Sequence, residues 1–87
     1  MRYRVEITRR AAKQFDSLPP DAQRQINKLF DLLAENPRSH KTIKMHGLDN
    51  LYRMRTGNWR VVYEIRDNVL LVLVVAVGHR RDVYQSF

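Results

Sequence analysis

The stretch Leu51 to Tyr84, LYRMRTGNWRVVYEIRDNVLLVLVVAVGHRRDVY, decides how this chain folds. Gly57-Asn58 separates two alternating segments and suits a two-residue hairpin loop of the type with glycine first. With that loop, Thr56 faces Trp59, Arg55 faces Arg60, Met54 faces Val61, Arg53 faces Val62 and Tyr52 faces Tyr63. Side chains alternate with a period of two, so Arg53, Arg55 and Arg60 share one face. Tyr52, Met54, Trp59, Val61 and Tyr63 share the other, a core layer suited to helices. The arginine face carries a cost, because like charges directly opposed on a sheet destabilise it by about 0.2–1 kcal/mol. A phosphate lying between Arg55 and Arg60 would remove that cost through forked hydrogen bonds. An ordinary solvated basic face is the alternative reading of the same spacing.

Outward from the hairpin, the periodicity predicts three strands at 51–56, 59–66 and 69–78, with Asp67-Asn68 as a second tight turn. The run VLLVLVVAV is apolar on both faces, as expected of a central strand covered on each side. Toward the N-terminus, Tyr3, Val5 and Ile7 alternate with Arg2, Arg4 and Glu6, giving a first strand. Thr8 offers an N-cap to a short helix that places Ala11, Ala12, Phe15 and Leu18 on one side. Pro19 and Pro20 end it, and a second helix starting at Pro20 or Asp21 carries Ala22, Ile26, Leu29, Phe30 and Leu33 until Asn36-Pro37 stops it. Residues 38–50 read as a polar, basic connection containing Arg38, His40, Lys41, Lys44 and His46, with at most a short extended piece. The expected class is α+β: an N-terminal strand, a helical hairpin, then a mainly antiparallel sheet of three further strands with the helices on one face.

At 87 residues there is room for one domain, 1–87, with a single core. Sixteen Lys and Arg against nine Asp and Glu give a net charge of +7, which points to nucleic acid, another polyanion or an acidic protein. The absence of cysteine excludes disulfides and thiolate metal sites. The longest apolar run, Val69 to Val77, is far short of the ~20 residues a membrane helix needs. MRYRVEITRR alternates like a strand and lacks the apolar block of a signal peptide. The expectation is a soluble, cytoplasmic protein that uses no metal or small-molecule cofactor.

The element order, together with LYRMRTGNWRVVYEI and the VGHRRDVY that follows the last strand, resembles the RelE branch of the RelE/ParE toxin superfamily over nearly the whole chain. The resemblance implies a RelE-like fold and a toxin of a type II toxin–antitoxin pair. Such a toxin cleaves messenger RNA in the ribosomal A site and is neutralised by a cognate acidic antitoxin. Position by position, it implies functional roles for Arg53 and Arg55 on the second strand, Arg60 on the third, Arg80 after the last strand, and Tyr84. Arg53, Arg55 and Arg60 are the same arginines that the hairpin register gathers independently.

The implied chemistry is attack of a ribose 2′-hydroxyl on the adjacent phosphate, leaving a 2′,3′-cyclic phosphate and a 5′-hydroxyl without a metal ion. It needs a base, an acid and positive charge at the pentavalent phosphorus. Members of the branch often carry lysines on the second strand, one proposed as the base, whereas this chain has arginine at both places. A guanidinium keeps its proton, so Arg55 can clamp phosphate but is a poor base. His79 is the candidate for the proton transfers, with an ordinary surface or core histidine as the alternative reading; alternation across Asp67-Asn68, unless Gly78 interrupts it, would put residues 71, 73, 75, 77 and 79 on the Arg60 face. The candidate catalytic set is therefore Arg55, Arg60, His79, Arg80 and Tyr84, with Arg53, Arg81, Lys41 and Lys44 as RNA or phosphate contacts. Arg81 has a second reading, an ion pair with Asp82. Trp59, Tyr52 and Tyr63 read as core. Arg9, Arg10, Lys13, Arg24 and Lys28 read as a solvated helix face, which on a ribosome would meet ribosomal RNA. Two other functions fit the same fold: a ParE-like toxin that inhibits DNA gyrase by binding, and a non-catalytic basic RNA-binding module.

Overall fold

The computed structural model describes residues 2–39, 42–45 and 50–83. Along the chain run β1 (Arg4–Ile7), α1 (Arg9–Asp16), α2 (Pro20–Glu35), β2 (Ile43–Lys44), β3 (Leu51–Thr56), β4 (Trp59–Arg66) and β5 (Leu71–His79). The strands form one sheet in the order β1-β5-β4-β3-β2, with β1 parallel to β5 and every other pair antiparallel. This is the α+β architecture expected from the sequence, with one strand more.

Capping follows the local chemistry. Thr8 accepts a hydrogen bond on its Oγ1 from the Ala11 N–H at 3.2 Å, satisfying one of the free donors that open α1. Pro20 is the first residue of α2, where its missing N–H costs nothing. Asn36 ends α2 in extended backbone while its N–H still donates to the Leu32 carbonyl at 2.8 Å. Among the described residues no helix is long and apolar enough to cross a membrane.

Both helices lie on one face of the sheet. There Ala11, Ile26, Leu29 and Leu33 meet Met54, Val61, Tyr63, Ile65, Val72, Val74 and Val77, and all of these side chains are buried. Burying aliphatic side chains of this size contributes about 1.5–3 kcal/mol each. Trp59 and Tyr52 are half-buried at the margin of the same core. The opposite face carries a second, smaller apolar cluster of Val62, Ala76 and Val83, flanked by Met45 and Val75. β5 is thus covered on both faces, as its unbroken apolar composition predicts.

The structure corrects the expectation at three places. The extended piece within 38–50 is a true strand, pairing Ile43 with Arg53 and Lys44 with Tyr52, so the sheet has a fifth member. Asp67-Asn68 is not a two-residue turn. A single turn of 3-10 helix spans Asp67–Val69, Leu70 follows at φ 50°, and Arg66 pairs with Leu71. The longer loop delivers the Leu70 carbonyl to the Arg4 N–H at 2.8 Å and the Asp67 carboxylate to Arg38 and Tyr3, so β1 and the segment that follows α2 are tied to it.

Alternation holds for Leu71 and Leu73 on the Arg60 face, but Val62 pairs with Ala76 while Tyr63 pairs with Val74, a β-bulge that inserts Val75. Val77 and His79 are thereby moved to the helix face. β1 pairs with β5 only as far as Val74, so beyond that point the strand has lost one of its two neighbours and an extra residue disrupts a single ladder.

Candidate functional site

The β3–β4 hairpin pairs Thr56 with Trp59, Arg55 with Arg60, Met54 with Val61, Arg53 with Val62 and Tyr52 with Tyr63, the register expected from Gly57-Asn58. Gly57 has φ +57°, while Asn58 is not among the residues with positive φ. That order of signs suits a turn with glycine first. Arg53, Arg55 and Arg60 consequently stand on one face, around a shallow hollow of about 70 Å³ that Ile43 and the Met54 position also line. Ile43, opposite Arg53, gives the hollow an apolar rim and is 50% exposed.

Arg55 is exposed and makes no hydrogen bond or ion pair among the described residues. The half-buried Arg60 is held by its own hairpin: Nη1 donates to the Gly57 carbonyl at 2.9 Å and to the Trp59 carbonyl at 3.0 Å. No carboxylate pairs with Arg55 or Arg60 among the described residues. Glu64, four residues along the Arg60 face, is engaged by Arg66 at 2.8 Å. Asp67 accepts from Nη1 and Nη2 of Arg38, each at 2.8 Å, and from the Tyr3 hydroxyl at 2.7 Å. The Arg38 fork and the Tyr3 hydroxyl together hold the Asp67 carboxyl down to about 2. Among the described residues Arg55 and Arg60 are thus left without a carboxylate, which is what an incoming oxyanion needs.

The end of β5 approaches the same hairpin tip. Gly78 lies opposite Arg60, and a Cβ placed on it would rest 3.7 Å from the Cβ of Val83. The chain therefore folds back after β5 so that Val83 covers Val62 and Ala76 on the arginine side. At the start of this turn the Arg80 N–H donates to the Asn58 carbonyl at 2.8 Å. Arg80 and Arg81 are exposed. Among the described residues Arg81 forms no ion pair with Asp82, whose N–H instead closes a turn onto the His79 carbonyl at 2.9 Å.

His79 lies on the other face, pairs with Trp59, and meets its ring edge-on at 5.6 Å. Its Nδ1 accepts from the Arg81 N–H at 3.3 Å. It lines a separate open groove of about 450 Å³ between α1 and the end of β5, together with Gln14, Ser17, Leu18, Trp59 and Asp82. Lys44 pairs with Tyr52 and so also faces the helix side. Lys41 and Tyr84 lie outside the described residues, as do His40 and His46. The structure thus gathers Arg53, Arg55 and Arg60, brings the Arg80 main chain to their hairpin, and sets His79 and Lys44 behind the sheet. Among the described residues no group of three or more His, Cys, Asp or Glu side chains is disposed to hold a metal ion.

Sequence reading missed Ile43 and the two turn carbonyls. Ile43 is the lone aliphatic residue between Lys41 and Lys44, a faint strand signal in a basic segment. Main-chain carbonyls leave no signal in composition.

Comparison with known proteins gives concordant findings. Residues 5–84 match the family described as ParE toxin of type II toxin-antitoxin system, parDE. The chain is 29% identical to the mRNA interferase toxin RelE of Escherichia coli strain K12, covering 99% of this chain and 94% of that protein. It is 30% identical to Toxin RelG of Mycobacterium tuberculosis, with 98% and 99% covered. The fold superposes on the archaeal RelE–RelB complex from Pyrococcus horikoshii with a TM-score of 0.80 at 28% identity, covering 95% of this chain and 100% of that one.

Proposed function

The chain belongs to the family of ParE toxins of type II toxin–antitoxin systems, and on that premise we propose that it is an endoribonuclease that cuts messenger RNA. The observation that carries this reading is the Arg55/Arg60 pair. Two guanidiniums face each other across a ladder with no carboxylate on either among the described residues, beside a hollow that Arg53 also lines. The likeness over almost the full chain to a relative named as an mRNA interferase supports it.

In this reading the phosphate adjacent to a ribose 2′-hydroxyl sits over the hollow. The 2′-oxygen gives up its proton to solvent water and forms a bond to phosphorus, the bond to the 5′-oxygen breaks and that oxygen takes a proton from solvent, and the products are a 2′,3′-cyclic phosphate and a 5′-hydroxyl. Arg55 and Arg60 stabilise the charge that builds on the pentavalent phosphorus, Arg53 holds the neighbouring backbone, and Arg80 closes over from the β5 turn. Charge from the chain serves where other nucleases use a metal ion. Guanidiniums do not take up the 2′-hydroxyl proton. By resemblance, Tyr84 acts at the reacting nucleotide. His79, behind the sheet, serves the chemistry indirectly by bracing Trp59 and holding the Arg81 N–H.

The whole chain acts as one toxin domain, in the cytoplasm, on messages in the ribosomal A site. Its net charge of +7 suits both ribosomal RNA and an acidic antitoxin that masks it, and the RelE–RelB complex of Pyrococcus horikoshii supports an antitoxin partner.

Primer extension on transcripts from cells induced for the wild type and for Arg60→Ala tests the proposal. Cuts within translated codons that vanish in the variant are expected. Intact transcripts alongside arrested growth would sink the nuclease reading in favour of a toxin that acts by binding DNA gyrase.

A further inference from the structure

Resting on that reading of the arginines, we propose that the Gly57-Asn58 turn is the positioning element of the site. Its two main-chain carbonyls fix one arginine on β4, Arg60, and another, Arg80, in the turn that follows β5. Carbonyls at a hairpin tip ordinarily face water. Here the Gly57 carbonyl accepts from Arg60 Nη1 at 2.9 Å, and the Asn58 carbonyl accepts from the Arg80 N–H at 2.8 Å.

The consequences differ for the two residues. Arg60 has a long side chain that would otherwise sample many rotamers. Bonds from Nη1 to the carbonyls of Gly57 and Trp59 fix the plane of its guanidinium. Among the described residues its Nε and Nη2 make no hydrogen bond and are available for phosphate. Arg80 is held by its main chain, so the turn sets where its exposed side chain begins. The hairpin tip thereby couples β4 to the segment after β5 on the side where Val83 crosses the sheet.

The directions of both carbonyls depend on the left-handed backbone of Gly57, at φ +57°. Space does not restrict this position, because an added Cβ would meet only Gln25 Oε1 at 3.6 Å, an ordinary contact. A substitution at Gly57 therefore acts through backbone conformation. Alanine resists φ near +57°, whereas asparagine visits it more readily.

The test compares wild type, Gly57→Ala and Gly57→Asn by four readouts. These are thermal melting, hydrogen exchange at the Arg80 amide, binding of a 2′-O-methyl RNA oligonucleotide across salt concentrations, and cleavage of message on programmed ribosomes. In Gly57→Ala the melting temperature is expected to stay within a few degrees of wild type while the Arg80 amide exchanges faster. The slope of log affinity against log salt should become shallower by about 0.7 for each phosphate that is no longer neutralised. Cleavage should fall by up to roughly 100-fold, in kcat more than in KM, as expected when a reacting group is misplaced by about 1 Å. Gly57→Asn should recover most of each loss. The proposal is overturned if Gly57→Ala frees the Arg80 amide yet keeps the slope and the cleavage rate. It is also overturned if activity merely tracks melting temperature with no recovery in Gly57→Asn. Should wild type bind the oligonucleotide but cut no message, the nuclease reading fails by itself, and an unchanged salt slope in Gly57→Ala would overturn the positioning role.

Discussion

Arg55 and Arg60 stand directly opposite each other across the β3–β4 ladder, and among the described residues neither has a carboxylate partner. Opposed like charges weaken a sheet, and an anion bound between them would remove that cost. Arg55→Gln should raise stability by about 0.2–1 kcal/mol in urea denaturation at low salt, and the gain should shrink at 1 M salt, where the repulsion is screened. The same variant should lose RNA cleavage. A variant that is less stable at low salt would show that the pair is not repulsive in the folded chain.

Arg60→Lys keeps the charge and discards the fork. Lysine cannot hold two hairpin carbonyls in one plane and still present a pair of donors to phosphate. Growth arrest on induction and message cleavage in vitro should both fall at least about tenfold, equivalent to the loss of one charge-assisted hydrogen bond of ~1.5–3 kcal/mol. Activity equal to wild type would reduce the role of Arg60 to charge alone.

Tyr63 is fully buried and donates its hydroxyl to the Pro37 carbonyl at 2.8 Å, with Thr42 Oγ1 also at 2.8 Å. Burial pushes its phenol up to about 12. The ordinary value is near 10, so the folded state favours the neutral ring. That contribution is fully present below pH ~10 and is lost as pH rises through ~12. Absorbance titration at the tyrosinate band should show a late ionisation that disappears in Tyr63→Phe. The same change should cost about 1–3 kcal/mol, because the Pro37 carbonyl loses its phenolic donor.

Asp67 behaves in the opposite sense. Its carboxyl, held down to about 2 by Arg38 and Tyr3, favours the folded state when ionised. That contribution is complete above the ordinary carboxylate value near ~4 and disappears as pH falls through ~2. Circular dichroism followed between those values should show wild type losing stability more steeply than Asp67→Asn. Parallel curves would mean that the ion pair does not persist in solution.

The hairpin was legible because two independent signals agree in it: Gly57-Asn58 fixes the loop, and polar and apolar residues alternate on both sides of it. β5 offers no such check. Every residue from Val69 to Val77 is apolar, so a shift of one position changes nothing in the pattern, and the bulge at Val75 that turns His79 away from Arg60 leaves no mark in the sequence. β2 was hidden for the opposite reason, since two residues within a basic connection are too few to show a period. Arg53, Arg55 and Arg60 could be placed from spacing alone. The carbonyls that hold Arg60 and Arg80 could not, because main-chain partners follow from geometry and not from residue type.

Beyond Val74 the outer edge of β5 is supported by a side chain instead of a strand, for the Val77 N–H donates to Gln14 Oε1 at 3.0 Å. Val77 is buried, so removing that acceptor leaves a main-chain donor without a partner. Gln14→Ala should therefore cost about 1–3 kcal/mol, and exchange at the Val77 amide should accelerate more than at Val72, which keeps β1 alongside it. Gln14→Glu retains an acceptor at the same reach and should recover much of the loss. Because Arg80 follows three residues after Val77, the alanine variant should also lower RNA cleavage at temperatures well below its melting point. Full cleavage in Gln14→Ala, with the Val77 amide exchanging freely, would mean that the Asn58 carbonyl alone suffices to hold the turn that carries Arg80.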